Sequence, residues 1–431
     1  MRQFKQGDLS SADIARLLRR EGSDIADVLP VAKSILREVE AGKDLALRDL
    51  TRKLDRAVLS SLSVSEEEFE RAEEGLSPRT KEAILDARTS LRAFHRPQVP
   101  HAVEVETRPG VKCRLLWRPV QRVGIYIPGG SAPLVSTVLM VGIPAVIAGC
   151  DDIVFCTPPN QDGGVTPEIL FAVKSLGLKK VFKVGGAQAI AAMALGTESI
   201  PKVGKIFGPG NRYVTAMKSI VAQPPYNVAI DMLAGPSELL IIADETADPR
   251  WVAADLLSQA EHGTDSAVVL VASSEGLFAK VQKELDIQLT KLPRQAMAAR
   301  SLENGFMLLV SDLQEALAFS NSYAPEHLIL AVKDPDTLAS GIVSAGSVFL
   351  GSLSSVVFGD YASGTNHTLP TGGLAVSFGG LTVRDFMKSM FFQSITPEGL
   401  AALSPTVKTL ARAEQLEGHA RAVEIREMSS D

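Results

Sequence analysis

The chain runs to 431 residues, more than one compact core usually covers, so two or more domains are expected. Its 45% hydrophobic and 22% charged residues suit a soluble globular protein, and a formal net charge of −6 argues against a nucleic-acid partner, because phosphate binding wants a basic face. No apolar run is long enough to cross a bilayer, so no membrane partner is expected. The amino terminus lacks a signal peptide's apolar core, and Cys113, Cys150 and Cys156 stand in no CxxC spacing; together these predict a reducing, cytoplasmic setting.

Apolar spacing makes the first part of the chain, to about residue 100, helical. Ile14, Leu17 and Leu18 share one face, and Ile25, Val28, Leu29, Ala32, Ile35, Leu36 and Val39 form a second stripe stopped by Gly42. Pro78 opens a third helix with Ile84, Leu85, Leu91 and Phe94 inward. A β-hairpin follows at 103–107 and 111–117, where Arg108-Pro109-Gly110 places proline and glycine as a type II turn wants them. Short apolar strands then alternate with helices. Strands are expected at 123–127, 152–156, 181–184, 205–207 and 239–242, and again at 267–272, 307–310, 328–331 and 347–350. Helices fall between them, at 133–149, 166–176 and 187–194 among others, which implies parallel sheets joined by βαβ crossovers. Beyond Leu381 the chain reads as helical again.

Four of the six histidines stand in distinctive contexts in the second half: Ser258-Gln259-Ala260-Glu261-His262-Gly263, Tyr323-Ala324-Pro325-Glu326-His327, the stretch 359–367 ending in Asn366-His367, and Glu414-Gln415-Leu416-Glu417-Gly418-His419. Each brings a carboxylate or carboxamide within a few positions, a composition that can bind a divalent metal and move protons. The segment 248–262 reads as a helix with Trp251, Ala254, Leu257 and Ser258 repeating, so Gln259 and His262 lie one turn apart on one face and can reach the same ion. A histidine near a helix end is equally satisfied by a backbone carbonyl. Pro325 should break the preceding helix and hold Glu326-His327 in a turn, offering two proton acceptors of different basicity. Alone, that dipeptide is as well explained by a capping glutamate beside a surface histidine. Asp360 falls in a loop too glycine-rich and polar for a core. Glu414 and His419, five apart on a C-terminal helix, cannot both be presented head-on from one face.

Glycine-rich turns at Tyr126-Ile127-Pro128-Gly129-Gly130, Gly208-Pro209-Gly210-Asn211 and Gly235-Pro236-Ser237 adjoin strands, the place where a phosphate can meet helix N–H groups. They serve equally as tight turns. None is GxGxxG, and the strand 152–156 ends without an acidic residue to grip a ribose.

The combination resembles the histidinol dehydrogenase family over nearly the whole chain. The resemblance rests on the four histidine contexts and on three further stretches: Val184-Gly185-Gly186-Ala187-Gln188-Ala189-Ile190; 196–201 (Gly-Thr-Glu-Ser-Ile-Pro); and Ile230-Asp231-Met232 with Ala234-Gly235-Pro236-Ser237-Glu238. It implies an α/β fold of two incomplete Rossmann-like domains, one inserted in the other, with helical N- and C-terminal extensions. On this chain those parts would be 1–25, 26–125 with 239–381, the insert 126–238, and 382–431. It implies Gln259, His262, Asp360 and His419 as zinc ligands, with the histidine at 419 reaching across an intertwined homodimer. Glu326 and His327 match the catalytic pair. Ser237, His327, Glu414 and the metal ligands match contacts to L-histidinol, and Tyr126, Gln188 and Asn211 match positions that meet NAD+. The implied reaction is the four-electron, zinc- and NAD-dependent oxidation of L-histidinol to L-histidine through L-histidinaldehyde.

Overall fold

The computed structural model of the chain describes residues 1–19, 25–129, 133–233 and 235–428; Gly130 of the first glycine-rich turn and Ala234 of the 230–238 stretch lie outside the described residues. The strands in chain order are β1 (Arg2–Lys5), β2 (Val103–Arg108), β3 (Val111–Pro119), β4 (Arg122–Tyr126), β5 (Asp152–Thr157), β6 (Val181–Lys183) and β7 (Lys205–Phe207). They continue with β8 (Ala229–Ile230), β9 (Glu238–Ala243), β10 (Ala267–Ala272), β11 (Phe306–Leu309), β12 (His327–Ala331), β13 (Ser347–Leu350) and β14 (Met387–Ile395).

Two sheets are wholly parallel. One has the order β6-β5-β4-β7-β8, and the other β1-β11-β10-β9-β12-β13. In both, the first strand of the unit (β4 or β9) is central, the next two lie to one side and the last two to the other. This is the doubly wound order, with a switch point between β4 and β7 in one sheet and between β9 and β12 in the other. Helices cover both faces, so the strands read as unbroken apolar runs. Leu239, Leu240, Ile241, Ile242 and Ala243 are all fully buried. The third sheet, β2-β3-β14, is antiparallel and half-exposed. Its β2–β3 hairpin turns as expected, with Gly110 at φ +75°.

Four elements depart from the sequence expectation, each because a distant partner decided them. Arg2–Lys5 is polar and was expected to be helical, yet it adds a parallel edge strand to Phe306–Leu309. Met387–Ile395 lies in the segment expected to be helical and pairs along its whole length with β3. The helix Leu29–Leu54 breaks at Lys43 (φ +48°, ψ −128°), one residue past the expected stop, and turns back on itself. In the helix Pro78–His95, Phe94 is exposed and His95 is fully buried instead.

The sheet that the N-terminal helices cover also differs from the expected division. Residues 26–125 were grouped with 239–381. However, Val28, Leu36, Leu47 and Leu50 share a core with Val154, Ile190 and Val214, and Phe69, Ile84 and Leu91 share one with Val123, Ile143 and Phe171. Both cores belong to the five-stranded sheet. An apolar helix stripe specifies that a face is buried, not which sheet buries it.

Candidate active site

Ser237 and Glu238 enter β9, and Glu326 and His327 enter β12, so the polar centre forms at the strand starts of the six-stranded sheet. His327 is the first residue of β12 rather than part of a turn. Ala324 closes the preceding helix in the left-handed conformation (φ +49°), and Pro325 then directs the chain into the sheet. His327 is buried, and its Nδ1 lies 2.9 Å from the Glu238 carbonyl oxygen. That contact makes Nδ1–H the donor and leaves Nε2 as the ring atom that gains or loses a proton. Nε2 has no hydrogen-bond partner among the described residues and lies 3.6 Å from Asp360 Oδ1. Burial alone would lower the His327 pKa, but Glu326 and then Asp360 more than reverse this and push it up to about 10.

Glu326 Oε2 accepts the Glu238 N–H at 2.7 Å and stands 3.5 Å from His327 Nδ1. Glu238 is itself fully buried; its Oε1 accepts the Gly372 N–H at 2.7 Å and its Oε2 the Glu326 N–H at 3.4 Å. The two glutamates thus clamp β9, β12 and the 371–373 turn together. Nothing in the sequence singled out Glu238 beyond its place after Ser237.

The helix Pro249–Ala260 runs back from β9 and returns Gln259 and His262 to this edge. Its buried face is Val252, Ala253 and Leu256, whereas Trp251 and Ala254 of the expected repeat are exposed. The helix stops at Ala260, short of the expected end at 262, so His262 lies in the turn that follows. Its Nδ1 is still 3.3 Å from Gln259 Nε2, while Gln259 Oε1 is buried without a partner among the described residues. Asp360 is not in a loop but in the short helix Val356–Tyr361. Burial favours its neutral form, yet His327, then His367 and His262, hold its carboxyl below the usual range. Gln259, His262, Asp360, Glu326 and His327 therefore converge. His367 joins them, with its Nε2 3.1 Å from Ser136 Oγ, and burial holds its pKa below the ordinary value against the pull of Asp360.

Glu414 and His419 do not join within one chain. They are exposed and not on one helix: Glu414 caps the end of Pro397–Ala413 and His419 lies on Glu417–Met428, with a break at Gln415 (φ +61°) between them. Among the described residues no three His, Cys, Asp or Glu side chains gather as a metal-holding group.

A positioning link behind the site was invisible in the sequence. Asn366 Nδ2 donates to the Met140 carbonyl at 2.6 Å and lies 3.2 Å from His95 Nε2, while Asn366 Oδ1 accepts the Thr368 N–H at 2.9 Å. Met140 is four residues before Pro144, which lies inside the helix Val135–Ala148 and has no N–H to satisfy that carbonyl. Asn366 supplies the missing donor and so ties the 359–367 segment to a helix of the other sheet.

At the switch point of the five-stranded sheet, beyond the ends of β4 and β7, lies a cleft of about 760 Å³. Tyr126, Gln188 and Asn211 all line it, with Asp55, Gly129 and Pro158. The Tyr126 hydroxyl accepts the Gly186 N–H at 2.9 Å, and burial pushes its pKa up to about 12. Asn211 Oδ1 caps the helix Arg212–Val221 through the N–H groups of Tyr213 and Val214. Gly208 (φ +114°) passes so close to Tyr126 that a Cβ there would lie 2.1 Å from its carbonyl oxygen. Behind this loop Lys218, fully buried, donates to the Gly208 carbonyl and to Asp231 Oδ1 at 2.5 and 2.6 Å. Asp231 in turn accepts the Gly208 N–H at 2.8 Å.

Among the described residues no helix is long and apolar enough to cross a membrane. The histidinol dehydrogenase family profile matches residues 18–427. The chain is 48% identical over 412 residues to a histidinol dehydrogenase of Bacteroides thetaiotaomicron, covering 96% of both chains. It is 50% identical over 412 residues to a bifunctional histidine-biosynthesis protein of Photorhabdus laumondii, where it spans 96% of its own length and 51% of that protein. The crystal structure of histidinol dehydrogenase from Elizabethkingia anophelis superposes with a TM-score of 0.95 at 44% identity, covering 100% of this chain and 98% of that one.

Proposed function

Because the chain belongs to the histidinol dehydrogenase family of NAD-dependent oxidoreductases, we propose that it oxidises L-histidinol to L-histidine through L-histidinaldehyde, the last steps of histidine biosynthesis. Four electrons leave the substrate as two hydrides, so two NAD+ are consumed per turnover. The observation that carries this reading is the His327 imidazole, whose Nδ1 is held by a backbone carbonyl and whose Nε2, without a hydrogen-bond partner among the described residues, faces Asp360 beside Glu326.

The residues present fit a zinc ion. Gln259 has a buried amide oxygen in need of a partner, His262 lies 3.3 Å from its amide nitrogen, and the Asp360 carboxylate is near enough to feel the His262 charge, donor types suited to a borderline cation. The exposed His419 would complete the set from a second subunit, and Glu414, just before it in the chain, would meet the substrate's N–H groups. The homodimer this requires would cover apolar residues of the 387–428 segment, of which Phe391 is 83% and Leu410 58% exposed in the single chain. The switch-point cleft fits NAD+, since Gln188 Nε2 is buried there without a partner among the described residues. When bound, zinc orients the substrate's amine and imidazole, and NAD+ takes up the hydride of each stage.

The chain's own residues do the rest. Were Asp360 engaged in holding the cation, one of the two negative charges that raise His327 would be offset and Nε2 would be available as a base. Nε2 accepts the alcohol proton as the first hydride leaves. His327 passes that proton to solvent. Glu326, held through Oε2, takes a proton from a water through its other oxygen as the water adds to the aldehyde, and returns it to the oxygen of the resulting hydrate. His327, again unprotonated, takes the hydroxyl proton of the hydrate as the second hydride leaves. Ser237 bounds the substrate at the start of β9. The test is NADH formed per L-histidinol consumed by purified, zinc-loaded protein, with the product identified. Two NADH and histidine are expected. One NADH with released aldehyde removes the second half-reaction, and turnover of some other primary alcohol instead removes the substrate assignment.

A further inference from the structure

The five-stranded sheet is wound like a dinucleotide-binding sheet, yet one part is missing from its usual place. Such sheets carry a carboxylate at the end of the second strand to hold the ribose hydroxyls. Here that strand, β5, ends in Cys156-Thr157 and continues into Pro158-Pro159.

A carboxylate reaches the cleft from outside the sheet. Asp55 caps the C-terminal end of the folded-back helix, with its N–H bonded to the Thr51 carbonyl at 2.9 Å. Its Oδ1 lies 3.3 Å from where a Cβ on Gly185 would stand, over the turn from β6 into the helix Gly186–Leu195. Its charge is felt at Tyr126. Its Oδ2 is shielded from solvent and has no hydrogen-bond partner among the described residues, and burial pushes the carboxyl up to about 6. A shielded carboxylate oxygen without a donor costs stability, the signature of a group placed for a ligand. Beside it Val31, Ile35, Leu54 and Ile169 offer an apolar wall, and no Lys, Arg or His is among the described residues lining the cleft.

We propose that Asp55 is the ribose-recognition residue of this cleft, accepting the vicinal hydroxyls of the dinucleotide and excluding a 2′-phosphorylated one. This rests on the reading of the cleft as the NAD+ site. A carboxylate is acceptor-only and has two oxygens, matching two hydroxyl donors. A 2′-phosphate removes one donor and sets like charges together, with no cationic side chain lining the cleft to offset them.

The test is equilibrium binding of NADH, NADPH and NADH lacking the adenosine 2′-hydroxyl to the full-length protein by calorimetry, without substrate. Asp55→Asn should weaken NADH by roughly 10- to 100-fold, the usual worth of hydrogen bonds to a charged acceptor, and should weaken NADPH far less. Removing the 2′-hydroxyl should weaken binding to the unaltered protein and add little to the variant's loss. NADH affinity of the unaltered protein should rise as pH climbs through about 6 and stay flat for Asp55→Asn. Unchanged affinities and an unchanged NADH-to-NADPH ratio in the variant overturn the proposal. The deoxy probe needs no variant, so a misfolded Asp55→Asn leaves a decisive measurement: equal binding of the deoxy and parent cofactors also overturns it. Failure of the unaltered protein to bind NADH at all would instead remove the cofactor reading of the cleft.

Discussion

Asn366→Ala strips partners from three groups at once: the Met140 carbonyl, His95 Nε2 and the Thr368 N–H. A buried polar group left unpaired costs about 1–3 kcal/mol, so three set a ceiling of roughly 3–9 kcal/mol. Water entering the space left by the carboxamide recovers part of this, giving an expected net loss of about 2–4 kcal/mol. Urea unfolding followed by far-UV circular dichroism reads the loss as a lowered midpoint at constant slope. The decisive comparison adds Pro144→Ala. An alanine at 144 restores the N–H that bonds Met140 within the helix, so removing Asn366 in that background should cost about 1–2 kcal/mol less. Because His367 follows Asn366 and meets Ser136 at 3.1 Å, kcat should fall with the single variant while NADH affinity holds. A loss under about 0.5 kcal/mol, within the range of inert surface changes, or a loss independent of residue 144 would refute the argument that Asn366 repairs the proline gap.

Glu326→Gln should slow aldehyde oxidation more than alcohol oxidation, by about 10²–10⁴-fold; single-turnover assays started from each substrate separate the two, and equal losses remove water activation from Glu326. Lys218→Met leaves Asp231 buried with its charge unpaired, and should cost about 3–5 kcal/mol and loosen the Gly208–Asn211 turn, weakening NADH binding. The double change Lys218→Met with Asp231→Leu should recover much of the stability, and no recovery would mean the pair is not the source of the loss. His95 is buried and neutral, with its pKa lowered chiefly by desolvation. The unfolded chain therefore binds the extra proton first, and stability falls as pH drops below about 6.5 by up to about 1.4 kcal/mol per unit. His95→Gln should flatten that acid limb in pH-dependent unfolding, and an unchanged slope would assign it elsewhere. Mixing inactive His262→Ala and His419→Ala proteins should restore activity, since a heterodimer holds one intact site. No recovery after verified subunit exchange would count against a shared site.

Much of this protein was legible before any coordinates. The parallel strands are continuous apolar runs, and a run that is buried on both faces states its own identity. The hairpin turn is written in Pro109-Gly110, and the three-residue spacing of Gln259 and His262 keeps them together even though the helix ends at Ala260 and His262 lies in the turn beyond it. Local pattern also marked Glu326-His327 and the 359–367 segment as polar, chemistry-bearing stretches, although it set them in a turn and a loop where the structure has the start of β12 and a short helix.

What tertiary structure alone decided are the partnerships between distant residues. Arg2–Lys5 has no apolar run and becomes a strand only because β11 offers an unpaired edge. The N-terminal helices could cover either sheet, since an apolar stripe names no partner. Asn366 and His95 are 271 positions apart, and the bond between them exists only because Pro144 left a carbonyl bare on a third element. Asp55 reaches the cleft because the helix folds back at Lys43, a break that apolar periodicity marks as a stop but cannot aim. Periodicity records which side of an element avoids water; where that side comes to rest depends on how all the elements pack at once.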